Sequence, residues 1–401
     1  MTSLRAAFCA LAALTLPVVS AAQTQERPTP PPGLAFYEAP QELLAGEHGS
    51  VIWSRPLTGV AALEYAQSNE LVLYRSTSVK DNAPIGVSGI IALPKGTPPK
   101  GGWPIVTWAH GTLGGGDKCA PSRDERGAIA HWFNQAPHRL LNRYLKRGWA
   151  VVMSDYEGLG TPGSHPFLLG KSEARGVLDI VLAARELHPE LSDKFIIVGH
   201  SQGGQAALFA AAEAPTWTPK LKLLGVNALA PASHIRLLFA AGLVGNTPSP
   251  GAAFTALFLS GAKAGSDAVK VEDLLGPEAL ARFPQVDEFC RTELSENPES
   301  WGELVPNTIM RNPKPAALLA LNAQLEAMHP GTLTIKVPVR IVQGLADERV
   351  VPLQTQELKK DLVNKGARVE YLEYPESDHF GVIEDDITAS AAWLRKRLLA
   401  K

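Results

Sequence analysis

Short apolar, β-branched runs alternate with longer stretches of helical spacing along most of the chain. The runs at 103–109, 149–155, 194–200 and 221–230 are almost continuously hydrophobic, which is typical of strands that are buried on both faces of a parallel sheet. Between several of them, apolar residues recur three and four positions apart, and this spacing predicts helices that cover the sheet. The pattern therefore predicts an α/β fold, with a mostly parallel sheet and helices on both faces.

The remaining regular elements follow from the same periodicities. Two strand-like runs separated by a turn that contains Pro84 predict a hairpin that opens the sheet. The predicted ranges are 70–79 and 85–93 for the hairpin, 337–342 and 368–374 for later strands, and 135–147, 172–187, 206–212, 352–364 and 383–399 for helices.

The strand-and-helix alternation stops between about Pro231 and Pro330. Residues 237–262 carry no charge, but a Pro- and Gly-containing segment at 246–251 interrupts them, which argues against a membrane span. Short helices are predicted here at 274–283 and 316–328. Apolar residues in such a region usually serve packing, but they can also form the wall of a ligand pocket.

We therefore predict that a helical cap, residues 233–330, is inserted between two parts of one α/β core. The first part of this core spans residues 35–232 and the second part spans residues 331–401.

The N-terminus resembles a secretory signal. Residues 1–21 begin with a short positive region, continue as an uncharged apolar run and end in small residues suited to cleavage. The apolar run is too short for a membrane span. Residues 22–34 are Pro-rich, and we expect an extended leader there. The protein is therefore predicted to be secreted or periplasmic.

Two of the three cysteines, Cys119 and Cys290, lie beyond the predicted signal. In an oxidising compartment these two cysteines most simply pair with each other. The alternative is that they form two separately buried thiols.

Composition narrows the classes of function. The chain has 401 residues, of which 45% are hydrophobic and 19% are charged, so it can bury a sizeable core. The formal net charge is −2 without acidic or basic blocks, so nothing points to a nucleic-acid partner or an anionic membrane. Internal repeats and zinc-type Cys/His spacings are absent from the sequence, and we expect neither a metal nor a cofactor.

The most informative stretch is the Gly-x-Ser-x-Gly pentapeptide centred on Ser201. It lies between the predicted strand 194–200 and an Ala-rich helix, which is the context of a nucleophile elbow. Gly199 and Gly203 suit such a turn because a Cβ at either position would crowd the facing backbone. Ser201 is therefore the candidate nucleophile, and the alternative is a Gly-rich turn with an idle serine.

A serine hydroxyl needs a base, and the base needs a carboxylate that orients it. Proteins with this elbow carry Asp or Glu and then His downstream of the serine. Asp347 follows the first strand after the cap, and His379 follows the next strand, so both would lie at the edge of the sheet that carries the serine. Asp347 could instead cap a helix, and Glu348, Asp378 and His329 remain competitors for the two roles.

Acyl transfer also needs donors for the oxyanion of the tetrahedral intermediate. The backbone N–H of Gln202 directly follows the candidate nucleophile. The second donor should come from the Gly-rich loop 110–116, which leaves the strand 103–109. We predict Thr112 for this role, with Leu113 as the alternative.

Three motifs resemble the secretory lipase family of the α/β-hydrolase superfamily, which includes secreted yeast lipases and bacterial relatives. They are Gly-His-Ser-Gln-Gly-Gly at 199–204, Asp-Tyr-Glu-Gly-Leu-Gly at 155–160 and Cys-Ala-Pro-Ser at 119–122. The resemblance runs from about Glu70 to the C-terminus. One departure is the loop that begins His110-Gly111-Thr112, because some yeast members carry an acidic residue there.

The resemblance implies an α/β-hydrolase fold with an inserted helical cap. It also implies hydrolysis of carboxylic esters by a Ser-Asp-His triad without a metal. A disulfide from Cys119 toward the cap is implied as well, and Cys290 is consistent with it.

Together these features predict a secreted serine carboxylic-ester hydrolase, a lipase or esterase, that acts on a small-molecule or lipid ester through an acyl-enzyme. Its cap can contact a lipid surface transiently. Two alternatives stay open: a serine peptidase or amidase of the same fold, and a catalytically inactive binding module. The first would need a charged or polar subsite for a peptide terminus, and the second would typically lack the serine or the histidine.

Overall fold

A computed structural model describes residues 27–398. The predicted signal peptide, residues 1–21, lies outside the described residues. Within the described range, no helix combines the length and the hydropathy needed to cross a bilayer.

A single nine-stranded sheet with the order β1-β2-β3-β5-β4-β6-β7-β8-β9 organises the fold. The first three strands and the β3–β5 pair are antiparallel, and all other neighbouring pairs are parallel. This confirms the predicted α/β fold with a mostly parallel sheet. The strands are β1 (Val51–Pro56), β2 (Ala66–Thr77), β3 (Pro84–Pro94), β4 (Trp103–Ala109), β5 (Ala150–Ser154), β6 (Leu191–His200), β7 (Lys222–Leu229), β8 (Val339–Gly344) and β9 (Val369–Tyr374).

Fourteen α-helices lie between and after these strands in the described range, together with short 3-10 turns. The helices are α1 (Gln41–Leu44), α2 (His131–Gln135), α3 (His138–Leu145), α4 (Gly170–Leu187), α5 (Gln202–Trp217), α6 (Ile235–Ala241), α7 (Ala252–Gly265), α8 (Pro277–Arg282), α9 (Arg291–Glu296), α10 (Pro306–Ile309), α11 (Pro315–Ala327), α12 (Pro352–Asn364), α13 (Gly381–Asp385) and α14 (Ile387–Leu398).

The apolar run 195–198 of β6 reflects burial on both faces of the sheet. Phe195 and Ile197 belong to one hydrophobic cluster, which includes residues of α4 and α5. Ile196 and Val198 point to the opposite side, into a cluster that includes residues of α3 and α14. Successive side chains of a strand alternate between faces, so a run that is covered on both sides is apolar at consecutive positions.

Two predicted helices differ from the structure in their bounds. The predicted helix 135–147 is found as α3, which begins at His138, three residues after α2 ends at Gln135. Pro137, which lies between them, has no N–H for a continuous helix. The last predicted helix, 383–399, is divided at Asp386, whose buried carboxylate receives two hydrogen bonds of 2.6 Å from Arg340 of β8.

The region between β7 and β8 is helical, and residues 233–330 contain no strand. The predicted helix 316–328 lies at α11, and the predicted helix 274–283 begins later, at α8. The apolar residues of this region form a hydrophobic cluster that includes Leu257, Trp301 and Leu321. These helices therefore largely pack on one another.

Strand β1 was not predicted from the sequence.

Candidate active site

The polypeptide makes a tight turn at Ser201, between β6 and α5. Ser201 has φ +59°, in the left-handed region that non-glycine residues seldom occupy. A Cβ built on Gly199 would lie 2.0 Å from the carbonyl oxygen of Gly203, and one built on Gly203 would lie 1.9 Å from the carbonyl oxygen of Ala109. Only glycine fits at both positions, so the predicted elbow is formed.

The structure brings Ser201, His379 and Asp347 into one row. The Nε2 atom of His379 lies 2.9 Å from the hydroxyl oxygen of Ser201, and its Nδ1 lies 2.7 Å from Oδ2 of Asp347. Asp347 follows the carboxyl end of β8 and His379 follows that of β9. Parallel strands end at one edge of a sheet, so distant parts of the chain meet there.

The surroundings of Asp347 favour its ionised form. Burial acts to raise the pKa of this carboxyl group, but the hydrogen bond and charge of His379 and the N–H groups of Val350 and Arg349 outweigh burial and lower the pKa. Gln343 also donates a hydrogen bond of 3.2 Å to Oδ2. An ionised Asp347 accepts a hydrogen bond from the Nδ1–H of His379, which leaves Nε2 free to accept the Ser201 hydroxyl proton.

None of the competing residues takes the position of Asp347 or His379. Glu348 is exposed. Asp378 accepts hydrogen bonds from the backbone N–H groups of Phe380 and Gly381, where α13 begins. The Nε2 atom of His329 lies 3.2 Å from Asp361 of α12. Neither carboxylate contacts His379 Nδ1 within hydrogen-bond distance in the described residues.

The two predicted oxyanion donors line the same cavity as Ser201. Thr112 and Gln202 both contribute to its wall, whereas Leu113 does not. In the described part of the chain, neither the N–H of Thr112 nor that of Gln202 donates a hydrogen bond to a protein group. Both N–H groups are thus free of protein acceptors. The backbone carbonyl of Leu113, the next residue, accepts a hydrogen bond of 2.7 Å from Arg291 N–H.

Sequence reasoning missed a buried polar network behind the elbow. The side-chain amide of Gln202 lies 2.7 Å from Oε1 of Glu173 and 2.9 Å from Nε2 of His165. His165 Nδ1 lies 3.0 Å from the carbonyl oxygen of Glu157, so the ring is neutral and accepts from Gln202. Burial lowers the pKa of His165 to about 4 and raises that of Glu173 to about 8.

One signal for this network was present in the sequence, because Glu173 lies within the predicted helix 172–187. It occupies the first turn of α4 and is fully buried there. Its Oε1 also accepts a hydrogen bond from the N–H of Leu168. Its partners lie too far along the chain for spacing to identify them.

The Asp-Tyr-Glu-Gly-Leu-Gly motif has a structural role near the site. The buried carboxylate of Asp155 accepts hydrogen bonds from the hydroxyl groups of Ser88 and Ser122 and from the N–H of Ser122. It thereby holds the Cys-Ala-Pro-Ser segment. Cys119 of that segment is bonded to Cys290, which confirms the predicted disulfide.

Two cavities meet at His379. One has a volume of about 340 Å³, contains Ser201, and has an apolar wall that includes Phe167, Leu238 and Phe258. The other is a more open groove of about 780 Å³, and its wall includes Trp132 and several charged side chains.

One cluster has the composition of a metal site. His234, His329 and Asp361 place possible ligand atoms within 4.8 Å of one another. However, the Nδ1 atom of His329 accepts a hydrogen bond of 3.0 Å from the N–H of His234, so Nε2 must carry the proton of a neutral ring. That proton points to Asp361. The cluster is therefore hydrogen-bonded internally and does not present three free lone pairs.

The sheet order and the elbow at Ser201 give the chain the α/β-hydrolase fold. Solved structures agree with this class. Lipase A of Candida antarctica in its closed state superposes with a TM-score of 0.75 at 20% identity, over 92% of this chain and 87% of the other. The rice cell wall degrading esterase of Xanthomonas oryzae reaches a TM-score of 0.71 at 18% identity, over 88% and 99%.

The chain is also similar to secretory lipases, in agreement with the resemblance of its motifs. The secretory lipase family model matches residues 127–261. Lipase A of Moesziomyces aphidis is 26% identical over 94% of this chain and 83% of its own length. A secreted triacylglycerol lipase of Malassezia restricta is 26% identical over 56% of this chain, and the matched region spans about half of that lipase, 49%.

Proposed function

We propose that this protein is a serine hydrolase of carboxylic esters, a lipase or esterase. One observation carries the proposal: the imidazole of His379 bridges the Ser201 hydroxyl at 2.9 Å and the Asp347 carboxylate at 2.7 Å. This arrangement can remove a proton from the serine and return it to a leaving group. The family relationship supports the same chemistry.

The proposed reaction has two halves. Ser201 Oγ attacks the ester carbonyl while His379 Nε2 takes the hydroxyl proton, and collapse of the tetrahedral intermediate expels the alcohol, which receives that proton. Water then attacks the acyl-enzyme with His379 again as base, and the acid is released. Asp347 holds the Nδ1–H tautomer throughout and stabilises the imidazolium.

The N–H groups of Gln202 and Thr112 are the proposed oxyanion donors. Both line the cavity that contains Ser201, and neither donates elsewhere in the described chain. Preorganised donors of this kind stabilise the developing charge without reorganisation during the reaction. The hydrogen bonds from Gln202 to Glu173 and His165 fix its side chain and, with it, the start of α5.

The apolar cavity is the proposed acyl site. Its volume of about 340 Å³ and its wall, which includes Phe167, Leu238 and Phe258, suit a hydrocarbon chain. Leu238 lies on α6 and Phe258 on α7, so the proposed cap, residues 233–330, contributes much of this wall. A cap that supplies the acyl site can also contact a lipid surface.

The protein is proposed to be secreted or periplasmic. The Cys119–Cys290 disulfide supports an oxidising compartment, and the Malassezia relative is named as a secreted lipase. The predicted signal peptide is consistent with this location.

The test compares wild type with Ser201→Ala on p-nitrophenyl esters of increasing chain length and on peptide p-nitroanilides. We expect ester hydrolysis in wild type and a loss of at least about 10³-fold in the variant, with unchanged thermal unfolding. Faster cleavage of the anilides would favour the peptidase alternative. Near-normal ester turnover in Ser201→Ala would overturn the proposal, and no turnover in wild type would favour the inactive binding module.

A further inference from the structure

The two cavities at His379 differ in chemistry. The apolar cavity contains Ser201 and both proposed oxyanion donors, whereas the groove contains His379 but not Ser201. In the proposed mechanism, His379 gives its proton to the leaving alcohol. The groove therefore lies on the side of the alcohol, and the apolar cavity lies on the side of the acyl chain. This assignment rests on the proposed function.

Arg291 lies at the boundary and lines both cavities. It is 9% exposed, and its guanidinium carbon lies 3.9 Å from the ring centroid of Phe133. Among the described residues, its guanidinium group forms no ion pair and donates no hydrogen bond, and its Nε is buried without a partner. Buried charges normally have a partner of opposite sign, so a substrate group is the natural partner here.

The backbone of Arg291 is anchored close to the reacting atoms. Its N–H donates to the carbonyl oxygen of Leu113, next to the proposed donor Thr112. The preceding residue, Cys290, is bonded to Cys119. The position of this arginine is thus set relative to the oxyanion loop before any substrate binds.

A second arginine, Arg349, also lines both cavities. Its N–H donates to Asp347, and its guanidinium carbon lies 5.4 Å from the ring centroid of Phe380, the neighbour of His379. No carboxylate lies within ion-pair distance of its side chain in the described part of the chain. Arg349 is exposed, so salt screens its charge more than that of Arg291.

Three carboxylates also line the groove: Glu296, Glu348 and Asp378. All three are exposed, so water solvates them. Asp378 accepts two backbone hydrogen bonds, and none of the three forms an ion pair with Arg291 or Arg349. The buried cation therefore remains available to an incoming anion.

We propose that Arg291, assisted by Arg349, binds an anionic group on the alcohol part of the substrate, so that the preferred esters carry a carboxylate or a phosphate. Guanidinium groups bind both anions through paired N–H donors. The inference names the substrate class of the proposed ester hydrolase and adds no reacting group.

Matched esters that share one hexanoyl chain test the proposal. O-hexanoyl glycolate is compared with O-hexanoyl glycolamide, and 1-hexanoylglycerol 3-phosphate with 1-hexanoylglycerol. We expect wild type to prefer at least one anionic ester over its neutral match by about tenfold or more in kcat/KM, as for hydrogen bonds between charged groups. The two pairs distinguish a carboxylate from a phosphate.

Three substitutions locate the effect. Arg291→Gln should remove the preference while p-nitrophenyl hexanoate is still hydrolysed, and Arg349→Gln should reduce it. Arg147→Gln, which removes an exposed arginine after α3, should leave the preference unchanged. Inhibition of wild type by glycolate or inorganic phosphate, relative to chloride at equal ionic strength, gives a measurement that does not depend on the folding of a variant.

The outcomes separate this inference from the proposed function. Hydrolysis of neutral esters by wild type without an anionic preference would overturn the inference alone. The inference would also fail if Arg291→Gln kept the preference, or if neither anion inhibited wild type more than chloride. If wild type hydrolysed none of the esters, the proposed function itself would fail.

Discussion

The pH dependence of stability should report the buried carboxyl group of Glu173. This side chain is fully buried, and burial raises its pKa from 4.5 to about 8, although the Gln202 amide and the N–H of Leu168 act in the opposite direction. Glu173→Gln keeps the shape of the side chain and removes the titration. The carboxamide oxygen can still accept the hydrogen bond from Gln202.

The sign follows from the number of protons bound in each state. Between pH 4.5 and about pH 8, the folded protein keeps the Glu173 proton while the unfolded chain loses it, so the free energy of unfolding falls as pH rises. Each pH unit corresponds to about 1.4 kcal/mol. Below pH 6.5, neutral buried histidines such as His165 and His110 act in the opposite direction, because their pKa values are lowered to about 4. The contribution of Glu173 is therefore clearest between pH 6.5 and about pH 8, where it amounts to about 2 kcal/mol.

The assay is urea unfolding of wild type and Glu173→Gln across this pH range. We expect the free energy of unfolding of wild type to fall by about 2 kcal/mol relative to the variant as pH rises from 6.5 to about 8. Glu64→Gln, which replaces an exposed glutamate, is the control and should run parallel to wild type. A constant difference between wild type and Glu173→Gln across the range would refute the reasoning.

Three further predictions concern the site and its supports. Asp347→Asn should lower kcat on p-nitrophenyl esters by about 10³- to 10⁴-fold because asparagine no longer favours the Nδ1–H tautomer of His379. Asp378→Asn, at an exposed position, should not lower kcat in this way, and equal losses in the two variants would contradict the assignment. Phe258→Trp should fill part of the apolar cavity and lower kcat/KM for esters with long acyl chains but not for acetate esters. The expected loss of transition-state binding is about 0.8 kcal/mol for each methylene excluded. Phe283→Trp, outside that wall, is the control, and an unchanged chain-length profile would count against the acyl site. Cys290→Ser should reduce the free energy of unfolding by roughly 5 kcal/mol, since the disulfide joins residues 171 positions apart, and an unchanged urea midpoint would contradict this.

The sequence was sufficient for the central strands of the sheet because each contains a run that is almost continuously hydrophobic. Strand β4 coincides with the predicted run 103–109, and α12 coincides with the predicted helix 352–364. The division of the last helix was missed because helical spacing continues across Asp386. Strand β1 was missed because its buried apolar run is only three residues long, 51–53.

The candidate site could be predicted only where the chemistry imposes an order along the chain. Ser201 and His379 are 178 positions apart, and the order of roles in this class of hydrolase links them. Nothing comparable links Gln202 to Glu173 or His165, which lie 29 and 37 positions away. Arg291 likewise carries no signal in the sequence, and only the fold places it in the walls of the two cavities that meet at His379. Long-range packing decides these contacts.

Covalent labelling with a fluorophosphonate tests the central claim most directly, because such a reagent reacts with a serine only when a neighbouring base activates it. The account predicts one label per chain, mapped by peptide analysis to Ser201, with labelling at least about 10³-fold slower in His379→Ala and normal in His329→Ala. A label on another residue, or an undiminished rate in His379→Ala, would contradict the account.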